Sequence, residues 1–249
     1  MKRRFDPAVS ELMDRPQPVT PELERDLRNL RQLNQWLGSY SLIRHFVRSW
    51  IKPGSKMRVA DLATGSGDIP RMLVDYARSI GATIAIDALD QNAATLEIAQ
   101  RLSKGYPEVS YIVGDVVNLE PAGRYDIVLC SLALHHFSDP DAVRLLRRCS
   151  ELSRRFVLVS DLRRGWMATV GVYLLTALIF REPMTRYDGR LSAARAFSFG
   201  ELRDLAQRAG WQGIGHQTFR FARQAIWLEK DDAPATANSR HRVGSARSS

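Results

Sequence analysis

Met57-Arg-Val-Ala-Asp61-Leu-Ala-Thr-Gly65-Ser-Gly67-Asp68-Ile-Pro70, residues 57 to 70, is the stretch on which the fold turns. An apolar run ends at a carboxylate, Asp61. A turn holding Gly65 and Gly67 follows. A helix then opens with Asp68 and Pro70 in its first turn and Leu73, Val74 and Ala77 along one face. Strand, glycine turn and helix in that order form the first unit of a nucleotide-binding α/β sheet. The glycines permit the tight turn and let a ligand lie against the main chain.

The charges around this turn select among nucleotides. A dinucleotide site seats pyrophosphate on the helix N-terminus. Here Asp61 and Asp68 bracket the loop and would repel it, and Pro70 occupies the place of the third glycine of G-x-G-x-x-G. The chain contains no G-x-x-x-x-G-K-[ST] loop. Carboxylates suit a phosphate-free ligand with a cationic amino-acid end, which describes S-adenosylmethionine.

Later strand ends repeat the theme. The apolar run 82–89 ends at Asp90-Gln91, where a carboxylate would accept from both ribose hydroxyls; Asp87 competes for that role, and Asp90 would equally cap the next helix. Val109-Ser-Tyr-Ile-Val-Gly-Asp115-Val116 predicts a third strand with Asp115 at its end, and Tyr125-Asp-Ile-Val-Leu-Cys-Ser131 a fourth, followed by Leu132-Ala-Leu-His135-His136-Phe137. Arg155 to Asp161 predicts a fifth. Ser198-Phe-Gly-Glu201 is a capping box opening a helix, and 213–229 alternates as an antiparallel hairpin. The expected fold is α/β, a Rossmann-like, mostly parallel seven-stranded sheet with a C-terminal antiparallel hairpin.

Asp61-Leu-Ala-Thr-Gly-Ser-Gly-Asp68 resembles the first motif of class I S-adenosylmethionine-dependent methyltransferases, in the form similar to that of quinone-biosynthesis methyltransferases. The resemblance covers residues 57 to 229, with motifs recurring in order at strand ends. It departs at Ala63, where many relatives have glycine, and at the tandem histidines. It implies S-adenosylmethionine as cofactor, S-adenosylhomocysteine as product, and no metal. The implied donor-binding residues are Asp61, Ala63, Thr64, Gly65, Gly67, Asp90, Gln91, Asp115, Val116 and Ser131. Asp115 matches the acidic residue that accepts from the adenine amino group, and the Val116 amide the donor to the ring. The [DNS]-P-P-[YFW] sequence of enzymes that methylate base amino groups is missing after the fourth strand, and Cys130 lacks the Pro-Cys context of a catalytic cysteine.

The rest of the chain fits around this domain, expected over residues 55–230. Residues 1–54 predict a helical N-terminal cap: Thr20-Pro-Glu-Leu opens a helix carrying Leu23, Leu27, Leu30, Leu33 and Leu37, and a second carries Ile43, Phe46, Val47 and Trp50. A helical pair packed on the sheet edge would show the same pattern. An insertion at 163–197 contains the most apolar run, 165–180, which at 16 residues is short of the ~20 that span a bilayer. It reads as a lid over the ligand side or as a membrane-surface helix with flanking arginines. Residues 185–190 read as a polar turn. Residues 231–249 lack large apolar groups and are expected to be a disordered tail.

Composition narrows the class. The 249 residues are 45% hydrophobic, enough for a substantial core, and the two cysteines form no disulfide framework. With no apolar leader at the start, the expected location is the cytoplasm. The net charge of +9 is scattered, without the basic stripe of a nucleic-acid site.

The chemistry expected is methyl transfer to the oxygen or carbon of an apolar aromatic small molecule: a quinone precursor, phenolic lipid or polyketide. His135 first, then His136, are candidates for general base or orienting group; they would equally serve as loop histidines packed on the cofactor. Trp166, Tyr173, Arg186 and Tyr187 are the candidate acceptor residues. The alternatives are an RNA or protein methyltransferase, or a non-catalytic binding protein of the same fold. Peripheral membrane contact through 165–180 is also anticipated.

Overall fold

The computed structural model describes residues 2–118, 124–166, 170–173 and 182–230. The expected tail and much of the apolar insertion lie outside them. Seven strands form one sheet: β1 (Lys56–Leu62), β2 (Thr83–Asp90), β3 (Val109–Val113), β4 (Tyr125–Ser131), β5 (Ser153–Leu162), β6 (Gly215–Phe219) and β7 (Arg223–Glu229), in the order β3-β2-β1-β4-β5-β7-β6. The first five are parallel, while β7 runs antiparallel to both β5 and β6. The order reverses between β1 and β4, and a crevice opens at their carboxyl ends, the place where such sheets bind ligands.

Alternation along the strands divides the core in two. Val128, Cys130, Val157 and Val159 face one layer, built on α5 (Asp139–Leu152) and α7 (Phe199–Arg208). Ile127, Leu129, Leu158 and Met57 face the other, built on α2 (Ser39–Trp50) and α3 (Asp68–Ser79). Period-2 alternation is what a sheet covered on both faces requires. A smaller cluster joins α1 (Pro21–Trp36) to α4 (Ala93–Leu102) through Leu23, Leu27 and Ile98.

Helix termini follow their sequence signals. Thr20 caps α1 ahead of Pro21, and Ser198 with Glu201 completes the capping box of α7. The polar turn expected at 185–190 is instead part of a helix, α6 (Pro183–Arg195). Pro183 sits at its start, and Gly189 is tolerated inside it. Its buried face is polar, with Thr185 and Asp188 inward. Thr185 Oγ1 donates to Asp26 Oδ1 of α1 (2.6 Å), and Asp188 accepts the Leu12 and Met13 amides (2.7 and 3.1 Å).

Those last bonds hold an extended arm. Residues 2–19 cross the carboxyl edge of the sheet. The Arg3 guanidinium donates to the carbonyls of His135 (3.1 Å), Phe137 (2.8 Å) and Arg195 (2.6 Å), pairs with Asp139 and lies 3.8 Å over the Phe197 ring.

Candidate functional site

The crevice encloses a cavity of about 230 Å³. One end is the β1 turn. Ala63 (φ 57°), Gly65 (55°) and Gly67 (69°) all take left-handed backbone there. At Gly67 a Cβ would meet the Tyr111 ring within 3.0 Å, and Oη more closely still. Ala63, Thr64 and Gly65 line the cavity, whereas Gly67 shapes the turn from outside it.

Asp61 is buried beneath the loop and accepts from Thr64 Oγ1 (2.6 Å). Burial pushes its carboxyl up to about 7, against the Thr64 hydrogen bond. Its charge is therefore partly suppressed, and the barrier to pyrophosphate rests mainly on Asp68, which lines the cavity. Tyr40 (2.6 Å) and Ser66 (3.0 Å) donate to the two Asp68 oxygens.

Asp90 ends β2 in the cavity wall beside Gln91. Its Oδ2 accepts the Gly65 amide and its Oδ1 the Asn92 amide, both at 2.9 Å, so it ties the two ligand loops together. Burial raises its pKa while these amides oppose the rise. Asn92, not Asp90, caps α4. Asp87 is instead engaged by Tyr125 Oη (2.9 Å). Val116 and Ser131 line the cavity, but Asp115 does not: it is exposed and accepts from the Val117 amide (2.9 Å) and Asn118 Nδ2 (2.7 Å) of its own turn.

The other end of the cavity is apolar. Leu27, Leu30, Leu33 and Leu37 enter from α1 and its C-cap, with Met13, Phe137 and Val172. Tyr173, Arg186 and Tyr187 surround a separate surface groove with Pro183, Arg190 and Leu191. Trp166 is 71% exposed and borders neither. The helix period accounts for this placement within α6: Gly189 and Ser192 turn to the cavity, which sends Arg186, Tyr187 and Arg190 outward.

Between the two ends sit His135 and His136, on a 3₁₀ turn, Leu134–His136. Asp161, at the end of β5, grips His135 twice: Oδ2 accepts its amide (2.9 Å) and Oδ1 its ring Nδ1 (2.7 Å). Burial works to raise the Asp161 carboxyl, but His135 and the Leu162 amide hold it below the usual carboxylate range. An ionised carboxylate only accepts, so Nδ1 carries the proton and Nε2 is left as the basic atom. Nε2 lies 3.7 Å from Glu11 Oε1. His136 Nδ1 pairs with Asp14 Oδ2 (2.7 Å), and its Nε2 lies 3.8 Å from Glu11 Oε2. Burial disfavours the His136 cation, but Glu11 and Asp14 overcome it and push the ring up to about 10. His136 is then charged at neutral pH and suited to orienting.

Glu11, Asp14 and Asp161 complete the histidine cluster without any motif that marks them in the sequence. Asp161 was legible only as the polar end of a strand. Glu11 and Asp14 stand more than 120 positions from the histidines, and no spacing rule connects them.

The comparisons with known proteins agree with this geometry. A family profile described as a methyltransferase domain matches residues 59–155. A demethylmenaquinone methyltransferase of Thermotoga maritima is 35% identical over 99 residues, 39% of this chain and 39% of that protein. A 2-phytyl-1,4-naphtoquinone methyltransferase of Nostoc punctiforme is 31% identical over 124 residues, 47% of this chain and 53% of that protein. The matches thus span about half or less of these curated relatives. Among solved structures, the plantazolicin methyltransferase in complex with S-adenosylhomocysteine superposes with TM-score 0.60 at 13% identity, covering 85% of this chain and 91% of that one. Human N-acetylserotonin methyltransferase with bound S-adenosylmethionine gives 0.59 at 18% identity, over 84% and 56%. At such identities the likeness concerns the fold. Residues 59–155 thus match a methyltransferase domain, and the chain is similar there to methyltransferases of quinone biosynthesis.

Proposed function

We propose that this chain transfers the sulfonium methyl of S-adenosylmethionine to an oxygen or ring carbon of an apolar aromatic acceptor, of the quinone-precursor, phenolic-lipid or polyketide kind. The observation that carries the reading is the two-ended cavity. Loop backbone with Asp90 and Gln91 forms one end, four leucines the other, and a histidine pair stands between. The donor lies along the Ala63–Ser66 turn, its ribose on Asp90 and its adenine beside Val116. The acceptor lies against Leu27, Leu30, Leu33 and Leu37. Relatives that act on quinones, by their names, support the acceptor class.

The step is an in-line displacement. The acceptor oxygen attacks the methyl carbon, the new O–C bond forms as the S–C bond breaks, and S-adenosylhomocysteine leaves. The hydroxyl proton passes to His135 Nε2, with Asp161 holding the ring's orientation and stabilising the cation formed. For a carbon acceptor the ring carbon attacks and its hydrogen leaves as the proton. Alignment and exclusion of water supply the rest of the acceleration. Of the expected cap of residues 1–54, the arm and α1 with its C-cap act as cover for this cavity, together with the insertion at 163–197, around the catalytic domain of 55–230, while α2 packs on the sheet.

Incubating the protein with methyl-labelled S-adenosylmethionine and a host extract tests the reading, with label expected in the organic-soluble fraction. Label in RNA, with a steep salt dependence, would replace it by the nucleic-acid alternative. His135→Ala should lower turnover about 10²–10⁴-fold while donor binding persists.

A further inference from the structure

Both histidines share one arrangement. Each presents Nδ1 to a carboxylate, Asp161 for His135 and Asp14 for His136, at 2.7 Å. Each turns Nε2 toward a different oxygen of the same third carboxylate, Glu11, at 3.7 and 3.8 Å. The rings are tilted at 38° with centroids 4.3 Å apart. Ligand-capable atoms of Glu11, His135 and His136 all lie within 4.8 Å of one another.

One buried and one partly buried imidazole whose outer nitrogens are held by carboxylates, with inner nitrogens converging on a third carboxylate, form a constellation suited to first-row divalent metals. The carboxylate holds the Nδ1 proton on each ring, and a metal at Nε2 displaces the second proton of the His136 cation. Glu11 is itself positioned, accepting from Ser192 Oγ (2.6 Å) of α6. Three ligands on one side of a cation, each at about 2.1 Å, stand about 3.0–3.4 Å from one another, so the two Nε2–Glu11 separations of 3.7 and 3.8 Å close by about half an ångström and the widest separation, within 4.8 Å, by up to about 1.5 Å through side-chain rotation.

We propose that Glu11, His135 and His136 form a site for a divalent transition metal, two histidines and one carboxylate on one side, with the remaining positions open to the cavity. This rests on the reading of the cavity as an acceptor site and extends it. Glu11, His135 and His136 all border the cavity, so an acceptor hydroxyl there can bind the cation as its oxyanion, its proton passing to solvent. His135 then serves as ligand, and the metal replaces it in activating the nucleophile. The preferred acceptor is one with an ionisable ring hydroxyl. The arm supplies the carboxylate, so it becomes part of the metal centre.

Cobalt(II) is the probe, since its ligand-field bands report imidazole and carboxylate coordination whether or not any acceptor is known. The full chain, stripped with chelator and then titrated, is expected to bind one equivalent of Co²⁺ and show those bands. Glu11→Gln and His136→Ala should each weaken binding at least about tenfold, and Asp161→Asn by about 10–100-fold. S-adenosylmethionine binding, measured on every sample, verifies folding. A protein that binds the donor but gives no Co²⁺ bands, or binds Co²⁺ equally well in all variants, overturns the metal site and leaves the transferase reading standing. Co²⁺ bound at the triad by a chain that binds no donor supports the metal site and overturns the transferase reading.

Discussion

Gly67 is confined to glycine by two separate constraints, its positive φ and the Tyr111 ring against its missing Cβ. Gly67→Ala should therefore cost more than the ~1–2 kcal/mol of a left-handed alanine, read as a lower urea midpoint with an unchanged slope. Gly65 has the same sign of φ but open space where a Cβ would go, so Gly65→Ala should cost only the backbone part. Such local geometry was legible in the sequence, because a strand end, two glycines and a helix start lie within ten residues. The histidine partners were not. Asp161 reaches His135 only because β4 and β5 pair in register, Ser131 beside Ser160. Glu11 arrives on a segment with no periodicity at all.

At the scale of the element, α6 teaches the same lesson from the other side. Its buried residues are Thr185, Asp188, Ala193 and Arg195, so no apolar stripe announces a helix, and its glycine suggests a turn. A buried polar face makes the packing depend on pH. Burial, with Glu11, Glu182 and Asp14 nearby, raises Asp26 to about 6 in spite of the Thr185 hydrogen bond, and its Oδ2 has no hydrogen-bond partner among the described residues. A folded-state value above the unfolded one means the protonated form is favoured on folding. The stabilisation is thus complete below about pH 4 and is lost as pH rises through about 6. Asp26→Asn should stabilise the protein at pH 8 by an amount on the order of 2 kcal/mol, with little effect at pH 4, as chemical denaturation at the two pH values would show. Removing the Ser198 cap of α7 should cost about 1 kcal/mol at either pH. Arg3→Ala should loosen the arm and lower kcat/KM about tenfold or more with donor affinity unchanged, since three of its bonds end on backbone carbonyls that flank the site.

Across the whole molecule, part of the basic charge turns out to be internal. Arg71, Arg164, Arg195 and Arg223 are buried, with guanidiniums bonded to backbone or side-chain oxygens. The positive charge left outside is correspondingly less of an argument for RNA. No helix of the described residues is long and apolar enough to cross a membrane. Tyr173 and Tyr187 are nevertheless exposed beside Arg186 and Arg190, and Trp166 and Val170 are exposed as well. An apolar acceptor drawn from a bilayer would be met there, and the protein should co-sediment with anionic vesicles more than with neutral ones, an excess that Trp166→Ala should reduce.

The arm carries a consequence for the order in which the protein is made. Arg3 bonds to residues 132 to 192 positions away, and Asp188 holds the Leu12 amide across 176. Closing such long loops comes late, after local contacts have narrowed the chain. The β1 turn can form as soon as its own neighbours exist, but the carboxylates that complete the histidine cluster must wait for α6. A chain emerging from the ribosome would own its nucleotide loop long before it owned a working centre. In refolding, far-UV dichroism should recover first and methyl transfer last.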